Sequence, residues 1–227
     1  MKGQTYQRFA GAAAVLVALS SLIYGLVFLF LVPADLKDLP PKSLIAFDAN
    51  PSGRQIASLM LALGGLAASA AIVAVYQRLR EVNEGWALWS FILGITYSVL
   101  TTLYGVYITF LLPALSHLYV TNASNPAIQQ AAVAIGSIPS ALDPSGFTKF
   151  FLSGLWLLIT GVLMIRSRYF ALALGYLALI AGVGVLLLFT GVATNTTSLI
   201  LGTGVSGAAV VGPIFWLWVG YTLWTKV

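Results

Sequence analysis

The residues able to do chemistry in this chain are few. His117 is its one histidine and there is no cysteine, so thiolate chemistry, disulfides and bis-histidine haem ligation within one chain are excluded. Axial ligation of a single haem or pigment is the chemistry left to His117. A solvated imidazole beside Ser116 and Tyr119 is the plainer expectation. The adjacent Ser116-His117 pair is no dyad signature, because such pairs are defined by spatial geometry and a buried group orienting the base. Asp35, Asp38, Asp48 and Asp143 fall in the same set of links between apolar stretches, where balancing Lys37, Lys42, Arg54 and Lys149 explains them better than a shared cation. Glu81 and Glu84 are expected to pair with Arg78 and Arg80, or to cap the helix that follows, with Glu84 as its anchor. No Walker, dinucleotide-binding or HExxH motif occurs. Catalytic residues and metal ligands are thus expected to be absent, and the chain is expected not to be an enzyme.

What remains is binding chemistry. Along the third apolar stretch, Ser90, Gly94, Tyr97, Ser98, Thr101, Thr102, Tyr104, Gly105 and Thr109 share one helical side. Ile92, Ile95, Val99, Leu100, Leu103, Val106 and Phe110 fill the other. A hydroxyl-rich face is costly against lipid and must turn inward. It serves either interhelical hydrogen bonds or a lined cavity, in which Tyr97, Thr101 and Tyr104 are the candidate ligand contacts. Trp216 and Trp218, deep in the last stretch, are further candidates for meeting a partner subunit, a second copy or a hydrophobic cofactor of unknown identity.

The elements that must position these residues follow from composition. Of 227 residues 59% are hydrophobic and 7% charged, with a mean hydropathy of +0.96. Soluble domains carry about a quarter charged residues, so this is an all-α integral membrane chain. The net charge of +5 reflects basic residues flanking spans and not a nucleic-acid surface. A bilayer core of about 30 Å needs roughly 20 helical residues, and six stretches come close: 9–32, 55–76, 86–112, 150–165, 170–192 and 207–223. They form a single domain over 1–227. Arg78, Arg80, Arg166, Arg168 and Lys226 fall on the same side as the N-terminus, which predicts both termini on the cytoplasmic face of a bacterial inner membrane. Between the third and fourth stretches, 126–138 is expected to form an amphipathic surface helix or an ordered loop. Gly212-Pro213 is expected to kink the sixth.

The run Tyr76-Gln77-Arg78-Leu79-Arg80 closes one apolar helix, and Asn83-Glu84-Gly85 with Trp86-Ala87-Leu88 opens the next. With the helix after Arg166-Ser167-Arg168, this order resembles a family of uncharacterised bacterial multi-pass membrane proteins, a domain of unknown function. The resemblance implies six spans over nearly the whole chain and assigns no activity. Family members often carry an Arg and a Glu within the third helix. Gly94 to Tyr97 stand there without charge, so no role for such a pair carries over. The expected function is non-catalytic: an accessory subunit, or a binder of lipid, quinone or pigment. A facilitator for a small neutral solute along the third helix is the alternative. Expected partners are membrane lipids and another membrane subunit or a second copy.

Overall fold

A chain this apolar has no water to satisfy its backbone in lipid, and helices bond internally. The computed structural model describes residues 2–32, 40–143, 146–206 and 210–226, and among them every regular element is a helix. In chain order these are α1 (Lys2–Phe30), α2 (Lys42–Ala49), α3 (Ser52–Leu79), α4 (Glu84–Val106), α5 (Leu112–Thr121), α6 (Pro126–Leu142), α7 (Leu152–Arg166), α8 (Leu172–Ala193), α9 (Thr197–Ser206) and α10 (Gly212–Thr225). Wider π turns, Tyr107–Leu111 and Phe147–Phe151, join α4 to α5 and lead into α7. Among the described residues, five stretches are long and apolar enough to cross a membrane: Gln4–Val27, Ser52–Leu79, Glu84–Thr121, Pro126–Arg166 and Leu172–Ala193.

Six helices close a ring. α1 packs on α3, α3 on α4, α4 on α7, α7 on α8, α8 on α10, and α10 returns to α1. Successive ring members run in opposite directions, so Lys2 and Lys226 share one end with the α3–α4 and α7–α8 links. The opposite end carries α2, α5, α6 and α9 as a cap, with α2 and α6 both packed on α5 and α9 on α8.

Small residues set the ring's closeness, as expected where lipid offers no hydrophobic drive between helices. A Cβ added to Gly220 would lie 2.8 Å from the Gly11 carbonyl oxygen, and one on Gly11 would lie 2.9 Å from that of Gly220. Gly161 and Gly175 stand in the same mutual relation across α7 and α8. Side-chain hydrogen bonds tie further pairs. Ser98 Oγ donates to the Gly65 carbonyl (2.5 Å), Tyr6 Oη to that of Ala70 (3.0 Å), and the Ser90 and Thr160 hydroxyls are hydrogen-bonded to each other at 2.8 Å.

Several local expectations are corrected. Asn83, and not Glu84, caps α4: its side chain accepts from the Trp86 N–H at 3.0 Å, while Glu81 and Glu84 are exposed and form no ion pair among the described residues. The third helix does not stop at Leu112. The π turn absorbs the donor missing at Pro113 and the helix continues to Thr121. Pro213 lies in the first turn of α10, directly after the π-helical residues Val210 and Val211. The segment 126–138 is helical, capped by Asn125 accepting from the Ile128 N–H, and extends to Leu142. Asp35, Lys37 and Asp38 lie outside the described residues, as do 207–209 of the sixth expected stretch.

Candidate functional site

The polar side of α4 turns inward. Ser90, Gly94, Ser98, Thr101 and Gly105 are buried, while Val99 and Leu103 on the opposite side are 47% and 58% exposed. Near the termini end its hydroxyls are consumed by neighbours, as the Ser90–Thr160 and Ser98–Gly65 contacts show. Towards the cap end the ring opens into a cavity of ≈ 610 Å³. Every ring helix lines it: Ser21 and Tyr24 from α1, Arg54 from α3, Tyr97, Thr101 and Tyr104 from α4, Trp156 from α7, Val185 from α8 and Trp216 from α10. That volume is in the range of small-molecule sites, about 300–1,000 Å³.

Aromatic rings make the floor. Trp156 stacks on Trp216, centroids 5.4 Å apart and 19° from parallel, and Phe215 meets the edge of Trp156 at 6.1 Å. All three are nearly inaccessible, at 2%, 7% and 1% exposure. Beneath them the ring is filled by an apolar core that includes Ile72, Val75, Leu163, Met164 and Leu174. The cavity is therefore blind towards the termini end.

Among the described residues, the charged side chains lining the cavity, Arg54, Asp143 and Lys149, lie towards its cap end. Lys149 Nζ lies 3.8 Å from the centroid of the Tyr104 ring, a cation–π contact worth about 0.5–1 kcal/mol at an accessible site. Asp143 accepts from the backbone N–H of Thr148 (3.1 Å) and from its hydroxyl (2.5 Å), across a turn whose Gly146 has φ 66°. Only a residue tolerant of that left-handed conformation serves there. Deeper in, Tyr24 lies within electrostatic reach of Tyr97, Tyr104 and Arg54. The Thr101 hydroxyl is buried beside Tyr97 and completes no hydrogen bond of ordinary geometry.

Four of the six residues singled out from the sequence thus meet in one place: Tyr97, Thr101, Tyr104 and Trp216. Trp218 is half-buried against the apolar core and does not line the cavity. His117 stands apart on α5, its side chain 73% exposed and its Nδ1 3.6 Å from Asp48 Oδ1. No group of three His, Cys, Asp or Glu able to hold a metal occurs among the described residues. Sequence reasoning missed Tyr24, Lys149 and Trp156. A signal for the last two existed: Lys149, Ser153 and Trp156 step by four and three residues, one helical face, and all three line the cavity.

At the termini end a second cluster holds the links together. The Arg78 guanidinium lies 4.4 Å from the centroid of the Tyr169 ring, Tyr169 Oη donates to the Lys226 carbonyl (3.1 Å), and Lys226 Nζ donates to the Tyr169 carbonyl (2.6 Å). Burial pushes the Tyr169 hydroxyl pKa above its ordinary value, although the Arg78 charge pulls the other way.

Residues 9–224 match a domain of unknown function, DUF4386. The chain belongs to this family. The match runs from α1 to α10 and so takes in every helix of the ring and all the cavity residues named above. No curated protein and no solved structure matches the chain. What DUF4386 contributes is extent, and the chemistry of the cavity rests on its residues.

Proposed function

We propose that this protein is a non-catalytic, six-span membrane protein that binds one hydrophobic molecule, a lipid, quinone or pigment, in the blind cavity at its cap end. The observation carrying this reading is the ≈ 610 Å³ cavity lined by all six ring helices and floored by stacked Trp156 and Trp216. α10 is the sixth span in this reading. Its 14 residues make about 21 Å of helix, short of a full crossing, with the aromatic-rich end at Trp224 anchored at one interface. Arg78, Arg80, Arg166, Arg168 and Lys226 cluster at the termini end, which supports a cytoplasmic location for that end and an outward-facing cavity in a bacterial inner membrane. A role as accessory subunit beside another membrane protein is compatible with binding and adds no separate chemistry.

The alternative, a facilitator for a small neutral solute along Tyr97, Thr101 and Tyr104, needs a continuous path. The packed core below the Trp156–Trp216 floor weighs against it. The test is purification in an uncharged detergent and native mass spectrometry of the intact protein. Retention of a hydrophobic molecule by the wild type, with loss in the cavity-filling variant Ser21→Phe, is the expected result. If vesicles containing the protein instead pass small neutral solutes while nothing is retained, binding gives way to facilitation.

A further inference from the structure

We propose that the occupant is a planar ring compound bearing a carbonyl, the quinone class. Its oxygen accepts from the Thr101 hydroxyl while the ring lies over the Trp156–Trp216 floor. This rests on the cavity being a binding site and chooses among the molecules that reading allows. Threonine hydroxyls in these helices close on their own backbone. Thr102, Thr109, Thr190, Thr203 and Thr222 each donate to the carbonyl four residues back, at 2.5–3.0 Å. Such a bond spends the hydroxyl inside its own helix. Thr101 does not make it. The residue is 4% exposed and lines the cavity, and among the described residues its buried Oγ1 completes no hydrogen bond of ordinary geometry. Its polar neighbour is Tyr97, also a cavity residue. The two hydroxyls hold two protons, and a bond between them would use one.

The wall at this level leaves room for a ligand atom. Gly64 and Gly65 of α3 both line the cavity. A Cβ on Gly64 would lie 3.2 Å from the Ser20 Cβ, and one on Gly65 would lie 2.5 Å from Thr102 Oγ1. Ser20 of α1 and the Ser98–Thr102 turn of α4 thus flank two residues that carry no side chain. A buried hydroxyl left without its partner costs about 1–3 kcal/mol, which an acceptor on the ligand recovers. A threonine has two staggered positions open to it in a helix, so the hydroxyl can turn to that acceptor without straining the chain. A carbonyl oxygen is an acceptor alone and competes for no other partner of the site. An acyl chain would leave the Thr101 hydroxyl unpaired. The floor sets the size. Gly94, whose added Cβ would touch the Trp156 indole at 2.8 Å, lies two turns before Thr101, about 10 Å along the helix. One or two fused rings span that distance, and contact with indoles favours a planar π system.

The test uses the full chain in an uncharged sugar detergent, titration calorimetry against empty micelles, and two probes of nearly one shape: menadione and methylnaphthalene. The chain has no cysteine for the quinone ring to alkylate. Menadione should bind the more tightly, and its infrared carbonyl stretch should move to lower frequency in the complex. Thr101→Val should weaken menadione by about threefold to tenfold and reduce that shift. Thr101→Ser should keep both, and methylnaphthalene should be indifferent to either change. If Thr101→Val does not fold, the wild-type shift and the advantage of menadione over the hydrocarbon decide. Equal affinity for the two probes with an unshifted carbonyl stretch overturns the carbonyl class and leaves the cavity as a site. Binding of neither probe, while native mass spectrometry of the wild type still finds a retained hydrophobic molecule, overturns the ring ligand alone. Neither binding nor retention overturns the binding reading as well.

Discussion

Trp156 and Trp216, from α7 and α10, stack at 5.4 Å and divide the ring into an open half and a packed half. Neither ring faces lipid, which is unusual for tryptophans in an apolar chain, since these favour the headgroup level. Trp156→Ala should therefore cost about 3–5 kcal/mol of stability, as large-to-small changes of buried aromatics do. Trp156→Phe should cost clearly less. Thermal unfolding in detergent, followed by near-UV circular dichroism, would measure both.

The glycine contacts separate by whether the neighbour can yield. A side chain at Gly175 meets the Ile165 N–H nitrogen at 2.9 Å and the Gly161 carbonyl at 3.0 Å, both backbone. Gly175→Val should destabilise by about 1–3 kcal/mol or more through forced separation of α7 and α8. Gly184, on the same helix, has open space around its Cα. Gly184→Ala should be neutral or stabilise by up to about 1 kcal/mol through helix propensity. Unfolding midpoints of the pair that move together would refute the packing account.

On α4, replacement of Ser98 by Ala removes the bond to Gly65 and should cost on the order of 0.6 kcal/mol, the usual size of such contacts in membranes. Thr101→Ser keeps the buried hydroxyl and should be milder still. Thr101→Arg, pointed into the cavity wall, and Val99→Arg, pointed outward, should both lower stability, the latter by about 2.5–3.5 kcal/mol at mid-membrane depth. Expression level and thermal melting of the four variants give the ranking. A lipid-exposed Thr101 would reverse it.

Topology is open to a direct assay. Reporter fusions after Lys226 and within α6 should report opposite faces of the membrane, with the Lys226 fusion cytoplasmic. The same face for both would remove the six-span arrangement, and with it the outward-facing cavity.

How much of this was legible beforehand depended on the range of the cause. The inward turn of Tyr97, Thr101 and Tyr104 follows from spacing within one helix, so the sequence sufficed. Their meeting with Trp216 needs the ring to close, and that depends on contacts such as Gly11–Gly220 between helices far apart in the chain. Lys149 was set aside as a balancing charge because its partner, the Tyr104 ring, lies on another helix. The cap on α4 went to Asn83 because a short side-chain carbonyl at the N-cap reaches the N–H three residues on, whereas Glu84 is already inside the first turn. The continuation past Pro113 was hidden because a proline usually ends a helix, and only the π turn reconciles it.

The mutual fit of Gly11 and Gly220 also bears on biogenesis. α10 is the last ring member to leave the ribosome, and it supplies both the closing contact to α1 and half of the stacked indole pair. During synthesis the other five helices can enter the bilayer while the wall between α8 and α1 stands open to acyl chains. Under the proposed binding role, a molecule taken from the surrounding leaflet would be enclosed as the last helix docks.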